Sequence, residues 1–197
     1  MATQVRTGYL YGCRGLVITP LTAAGAMPAS PARFGIRTAQ TVGEEITYAE
    51  GEQSQQRGGD RILAVREEED VVIGAALTFR DARFDARATV IMAGGTLIES
   101  GGVVVGWRAP TIAAQGTRIP FMAEVFVENY LANGVLHGFV RTTYPLCFGR
   151  IPSVTYEDQA WASPEFAIRV RENTALAPAL PVISKEFVDT LPVELTA

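Results

Sequence analysis

The sequence predicts a mainly β protein, a sandwich or barrel with one appended helix, and three observations predict it. Short runs rich in Val, Ile, Thr, Phe and Tyr recur along the chain, separated by Gly and Pro punctuation. One of these runs, VVIGAALTF at 71–79, places apolar residues at every second position, the period of a half-buried strand. Only one stretch, 81–93, is free of Pro and Gly with a helix-like apolar stripe.

In chain order, Leu16, Val17, Ile18 and Thr19 form a first strand ended by Pro20, and the small-residue stretch 22–31 is a loop. Strands follow at 34–38 and 45–48. Residues 50–60, EGEQSQQRGGD, hold no aliphatic side chain and end in a Gly pair, so they are expected as a long exposed loop. A loop of this length in a compact domain is an interaction candidate, with Glu50, Glu52, Gln53, Gln55, Arg57, Asp60 and Arg61 as its contact residues.

Residues 62–66 and 71–79 read as two strands joined by Glu67, Glu68, Glu69 and Asp70, a solvated hairpin end. Alternation places Val71, Ile73, Ala75, Leu77 and Phe79 on one face, and the small Val72, Gly74, Ala76 and Thr78 on the other. The helix over 81–93 takes Asp81 as N-cap and Gly94-Gly95 as its stop, and docks through Phe84, Ala88, Ile91 and Met92. Further strands are expected at 103–108, 120–129, 135–143, around Cys147, and at 166–171. The Pro-spaced segment 174–197 reads as an extended C-terminal arm.

Composition narrows the function classes. Of 197 residues, 48% are hydrophobic and 19% charged, ordinary for a soluble globular chain. A net charge of −4 argues against a surface that grips DNA, because phosphate affinity comes from Lys and Arg. Cys13 and Cys147 are too few and too far apart for a disulfide framework or a zinc site, and read as packed thiols. The N-terminal residues lack an uninterrupted apolar run, and no run approaches the ~20 residues that cross a bilayer, so the chain is expected in the cytoplasm when made.

Reactive constellations are not found. His137 is the only histidine, which removes His-rich metal centres, and no G-x-S-x-G elbow presents a serine to it. It shares a strand face with Val135, Phe139 and Arg141 and reads as a core-edge histidine. Lys185 has no Gly-rich run ahead of it, so there is no phosphate loop. Glu124 and Glu128 fall on one strand face with Met122 and Phe126, their Cα atoms roughly 13 Å apart. That exceeds the ~5–9.5 Å carboxyl separation of glycoside hydrolysis, so the pair reads as a solvated or channel-lining row. Trp107 and Trp161 form no stacking platform with basic neighbours. No cofactor is expected.

The order of segments carries a resemblance. An early strand ends in a turn, and a further strand leads to a long polar loop. The strand VVIGAALTFRD then runs directly into DARFDARATVIMAGG; more strands follow, and ISKEFVDTLP lies in the closing arm. In this order the chain resembles the major tail tube proteins of long-tailed, siphovirus-type bacteriophages, over residues 10–192.

The resemblance implies a single domain over 1–197: a β-sandwich or half-barrel with one flanking helix, a long loop at 50–61 and a C-terminal arm at 174–197. It implies copies that form hexameric rings with a continuous lumen wall, stacked into a virion tail tube that conducts DNA without binding it specifically. Tape-measure and tail-terminator proteins are then expected partners, and a membrane is not. The loop would reach the next ring or subunit. An acidic wall lets DNA slide by like charge, and the lumen candidates are Glu124 and Glu128, then Glu67 and Glu68. The rival readings are an inner tube of a contractile tail or injection system, a β-sandwich virion decoration or binding module, and an enzyme built on Glu124, Glu128 and His137.

Overall fold

A computed structural model of the chain describes residues 6–58, 60–113 and 119–196. Its elements in chain order are β1 (Tyr9–Pro20), β2 (Phe34–Ile36), β3 (Ala39–Ala49), β4 (Gln53–Gly58), β5 (Arg61–Glu67), β6 (Val71–Asp81), α1 (Ala86–Ala93), β7 (Thr96–Ser100), β8 (Val103–Arg108), β9 (Phe121–Tyr130), β10 (Leu136–Gly149), β11 (Glu165–Arg171), β12 (Ser184–Val188) and α2 (Val193–Thr196). The fold is mainly antiparallel β and consistent with the expected β-sandwich or half-barrel; α1 is the expected helix, and the short α2 is an addition to it. Its main sheet has eight strands in the order β2-β1-β9-β10-β11-β6-β3, with β12 added beside β10. β10 is long enough to serve two partners on one edge: Phe139–Thr143 pair with β12 and Leu146–Gly149 with β11.

The core forms where alternation is cleanest. Leu16 and Ile18 of β1, Leu77 and Phe79 of β6, Phe121, Ala123 and Val125 of β9, and Phe166, Ile168 and Val170 of β11 point into one buried cluster. The Phe79 and Phe166 rings stack with centroids 5.7 Å apart, a pairing that adds directional energy to the area they bury. Glu44 on β3 accepts a hydrogen bond from the Tyr144 hydroxyl of β10 at 2.5 Å and an ammonium contact from Lys185 of β12 at 3.2 Å. These contacts tie the β3 edge to the middle of the sheet.

The helix begins later than expected. Asp81 ends β6, where its carboxylate accepts from the Thr38 hydroxyl at 2.5 Å, so it is committed to the sheet. Asp85 is the N-cap instead, accepting from the backbone N–H of Arg87 at 2.9 Å and of Ala88 at 3.2 Å. Phe84 therefore precedes α1 and is exposed, while Ala88, Thr89, Met92 and Ala93 form the buried stripe. Gly94 stops the helix as expected, and its carbonyl accepts from the Trp107 indole at 2.7 Å, joining α1 to β8.

β7 was not expected. It pairs with β8 through a two-residue turn at Gly101-Gly102, both with positive φ of 59° and 79°, the geometry that suits a tight hairpin.

The segment 174–197 is not a free arm. β12 pairs with β10, and α2 lies over β1 and β2 so that Leu195 buries Val17 and Phe126 on the outer face of the sheet. A Cβ at Gly35 would collide with the Glu194 carbonyl, so the glycine is what allows this close approach. Buried Asn173 holds the start of the segment: its amide donates to the carbonyls of Gly25 at 2.9 Å and Pro145 at 3.1 Å, and its oxygen accepts from Ala175 N–H at 3.0 Å.

Candidate assembly surfaces

The segment expected as a loop at 50–61 is the first half of a hairpin arm. β3 and β6 pair from Ala39/Asp81 out to Ala49/Val71. After a short interruption β4 and β5 continue outward, from Gln53/Glu67 to Gly58/Arg61. At the interruption Gly51 N–H donates to the Asp70 carboxylate at 2.9 Å and Glu68 N–H to the Glu52 carbonyl at 3.3 Å. β5 therefore pairs with β4 rather than with β6, and 67–70 is the waist of one long hairpin rather than a hairpin end.

The candidate residues fall on this arm together. Glu50 and Glu52 lie at the waist on one strand, and Glu67, Glu68, Glu69 and Asp70 opposite them on the other. All are exposed, and among the described side chains only Glu68 has an arginine partner at this waist, Arg66 at 2.8 Å. Gln53 and Gln55 are on β4 and share a face with Glu67 and Val65. Arg57 opposes Ile62, and Asp60 and Arg61 are at the tip.

The arm also carries apolar side chains that the sequence reading did not mark. Ile46, Tyr48, Ile62, Val65, Val71, Val72 and Ile73 are all exposed. Their signal was the unbroken run at 71–73. A register shift between Thr47 and Tyr48 pairs Tyr48 with Val72 while Ile46 pairs with Ala75. Val72, not Ile73, thus shares the face of Ala75, Leu77 and Phe79, and the expected five-residue stripe holds only from Ala75 on.

Glu124 is not on a solvated row. It is 4% exposed and gripped by two arginines, Arg33 at 2.7 Å and Arg141 at 3.0 Å. Arg33 also reaches Glu194 at 3.4 Å, and Arg141 pairs with Glu186. The outer face of β9 is covered by the C-terminal segment, and Glu124 is the anion around which that cover is pinned. Glu128 is half-buried, paired with Arg14 at 3.2 Å and accepting from the Tyr130 hydroxyl at 2.9 Å. That bond holds the Tyr130 hydroxyl pKa up. Within the single chain both acids are thus already engaged by arginines.

His137 is exposed, contrary to the reading as a core-edge residue: a register shift between Leu136 and Phe139, with Gly138 at φ 113°, breaks the alternation there. Among the described residues no three His, Cys, Asp or Glu side chains gather as a metal site, and no helix is long and apolar enough to cross a membrane. Burial raises the thiol pKa of both Cys147 and Cys13.

No family profile and no curated protein sequence matches the chain. Among the solved structures that match it, two align along nearly its whole length. One is the anti-feeding prophage cap, described as the AFP tube terminating cap, at 7% identity and TM-score 0.38, covering 94% of this chain and 97% of that one. The other is the anti-feeding prophage baseplate, at 10% identity and TM-score 0.31, covering 96% and 98%. Likenesses this remote carry no functional argument.

Proposed function

We propose that the protein is the protomer of a phage-type tail tube, copies of which join into hexameric rings that stack and conduct DNA during ejection. The arm carries this reading. β3 is an 11-residue strand at the end of the sheet order, and it runs in line with a hairpin whose apolar side chains lie bare in the single chain. Such an edge is a liability in a monomer and an assembly surface in a protein whose sheet continues into its neighbour.

In this reading β3 supplies the side-by-side pairing, and the β4–β5 hairpin reaches beyond the protomer to the next ring or subunit. Glu67 and Glu68, within the acidic waist, become the acids presented to DNA in place of Glu124 and Glu128. Segment order, the helix capped at glycines and a net charge of −4 support the same role.

The test is negative-stain electron microscopy of the purified protein, with sedimentation velocity. Rings or tubes with a central pore are expected; discrete globular particles at high concentration would sink the reading. Replacing residues 51–69 by Asn-Gly should leave the fold intact, because no described side chain from them enters either apolar cluster. Ring stacking should fail in that variant, and unchanged tubes would remove the hairpin from the account.

A further inference from the structure

The connection between β10 and β11, residues 150–164, is tied down at its base and bare at its tip. Arg150 N–H donates to Ala167 at 2.9 Å, and Ser153 and Glu165 exchange backbone bonds at 2.9 Å. Beyond them Tyr156 is 82% exposed and Trp161 101%. Scattered exposed aliphatics are ordinary, but a wholly bare indole holds about 150–250 Å² that an interface would cover. Tryptophan is also the residue most enriched at interface hot spots.

The same molecule has an apolar groove that no described residue fills. It lies between α1 and the end of β8, has a volume of about 480 Å³, and is lined by Pro20, Val90, Ile91, Pro110 and Ile119 with Arg108. That is within the ~300–1,000 Å³ range of small-ligand pockets and roomy for one indole. Arg108 is exposed and has no ion pair among the described residues, and the same holds for Glu157 and Asp158, just ahead of Trp161. An apolar knob flanked by acids thus matches an apolar slot flanked by an arginine.

The two patches share one end of the sheet but sit against different strands. Pro20 closes β1, whereas Trp161 stands beside Arg80 of β6 and Glu165 of β11. We infer that Trp161 of one copy seats in the α1–β8 groove of the next, with Glu157 and Asp158 facing Arg108. A contact between two different patches is head-to-tail, and it generates closed rings when the rotation allows. Because both patches lie at the same end of the protomer, the contact keeps neighbours level, as a ring requires. This inference rests on the ring-forming reading and names a lateral contact within it.

Two readouts test it. In the full-length protein, Trp161→Ala should raise the concentration for half-assembly by about tenfold or more, with an unchanged unfolding midpoint. Mixing Ala160→Cys with Ala109→Cys protein under mild oxidation should give a disulfide-linked mixed dimer that neither variant gives alone. Rings that persist in Trp161→Ala without a mixed cross-link would overturn the contact and leave the ring reading standing. Wild-type protein that stays monomeric throughout would overturn both. A groove that binds a small apolar carboxylate while rings form without Trp161 would also overturn it.

Discussion

β9 and β3 are nearly equal in length, at 10 and 11 residues, yet they are built for opposite surroundings. β9 lies between β1 and β10, with the main core on one face and the C-terminal segment on the other, so even its acid Glu124 is out of water. β3 has a partner on one side and no fully buried residue along its length. The first strand is covered by its own chain; the second keeps one edge unpaired. An exposed apolar side chain means little on its own, but an edge strand and hairpin with bare apolar side chains beside a strand covered on both faces mark where a neighbour would supply cover in the proposed assembly.

Substitutions that separate folding from assembly bear on this comparison directly, each read as urea unfolding at a protein concentration below assembly. The largest effect is expected in the core: Phe79→Ala should cost about 4 kcal/mol, because it removes a stacked ring and leaves a cavity. Glu124→Ala should follow at about 3 kcal/mol, since it removes the buried anion that Arg33 and Arg141 share and leaves each with a single carboxylate partner, Glu194 and Glu186. An equal loss from Glu68→Ala would break the distinction between the two acids. Asn173→Ala should cost about 2 kcal/mol by orphaning two buried carbonyls and an N–H.

Alkaline pH gives a subtler test. Burial raises the pKa of the Cys147 thiol from its ordinary 9.0, and burial with the Glu44 hydrogen bond raises that of the Tyr144 hydroxyl from its ordinary 10.0. Both neutral forms are favoured in the fold, so their contribution is intact below the ordinary values and is lost progressively as pH rises above them toward the raised values of the folded state. Unfolding midpoints should fall between pH 9 and 11, and Cys147→Ala should flatten the decline. The smallest effect belongs to the arm: Ile62→Ser should change stability by less than about 0.5 kcal/mol while impairing assembly.

What was legible in the sequence follows the same divide. Strands at 103–108, 120–129 and 166–171 were marked by β-branched and aromatic residues between turn signals, and each is present in the fold. β4 was hidden, because a strand exposed on both faces has no apolar period to betray it. The helix start was misplaced by four residues because two aspartates could cap, and only the distant Thr38 decides which one does. Glu124 looked solvated because its partners Arg33 and Arg141 lie 91 and 17 residues away, beyond the reach of any local pattern. The β7–β8 hairpin was the avoidable miss, since Gly101-Gly102 between two β-prone runs is a hairpin signal by itself.

The cover over β1 also sets a timetable. Val17 leaves the ribosome long before Leu195, the residue that buries it. At ~5–20 residues per second, the outer face of β1 stays bare for roughly 10 to 35 seconds of synthesis. Val17 is uncovered throughout that interval, and Phe126 joins it for roughly the last 3 to 14 seconds as an apolar strip that any unfinished neighbour can reach. Crowded polysomes are therefore where this protein is most exposed to misassociation, and a chaperone that shields β1 during translation would help it more than one that acts on the finished chain.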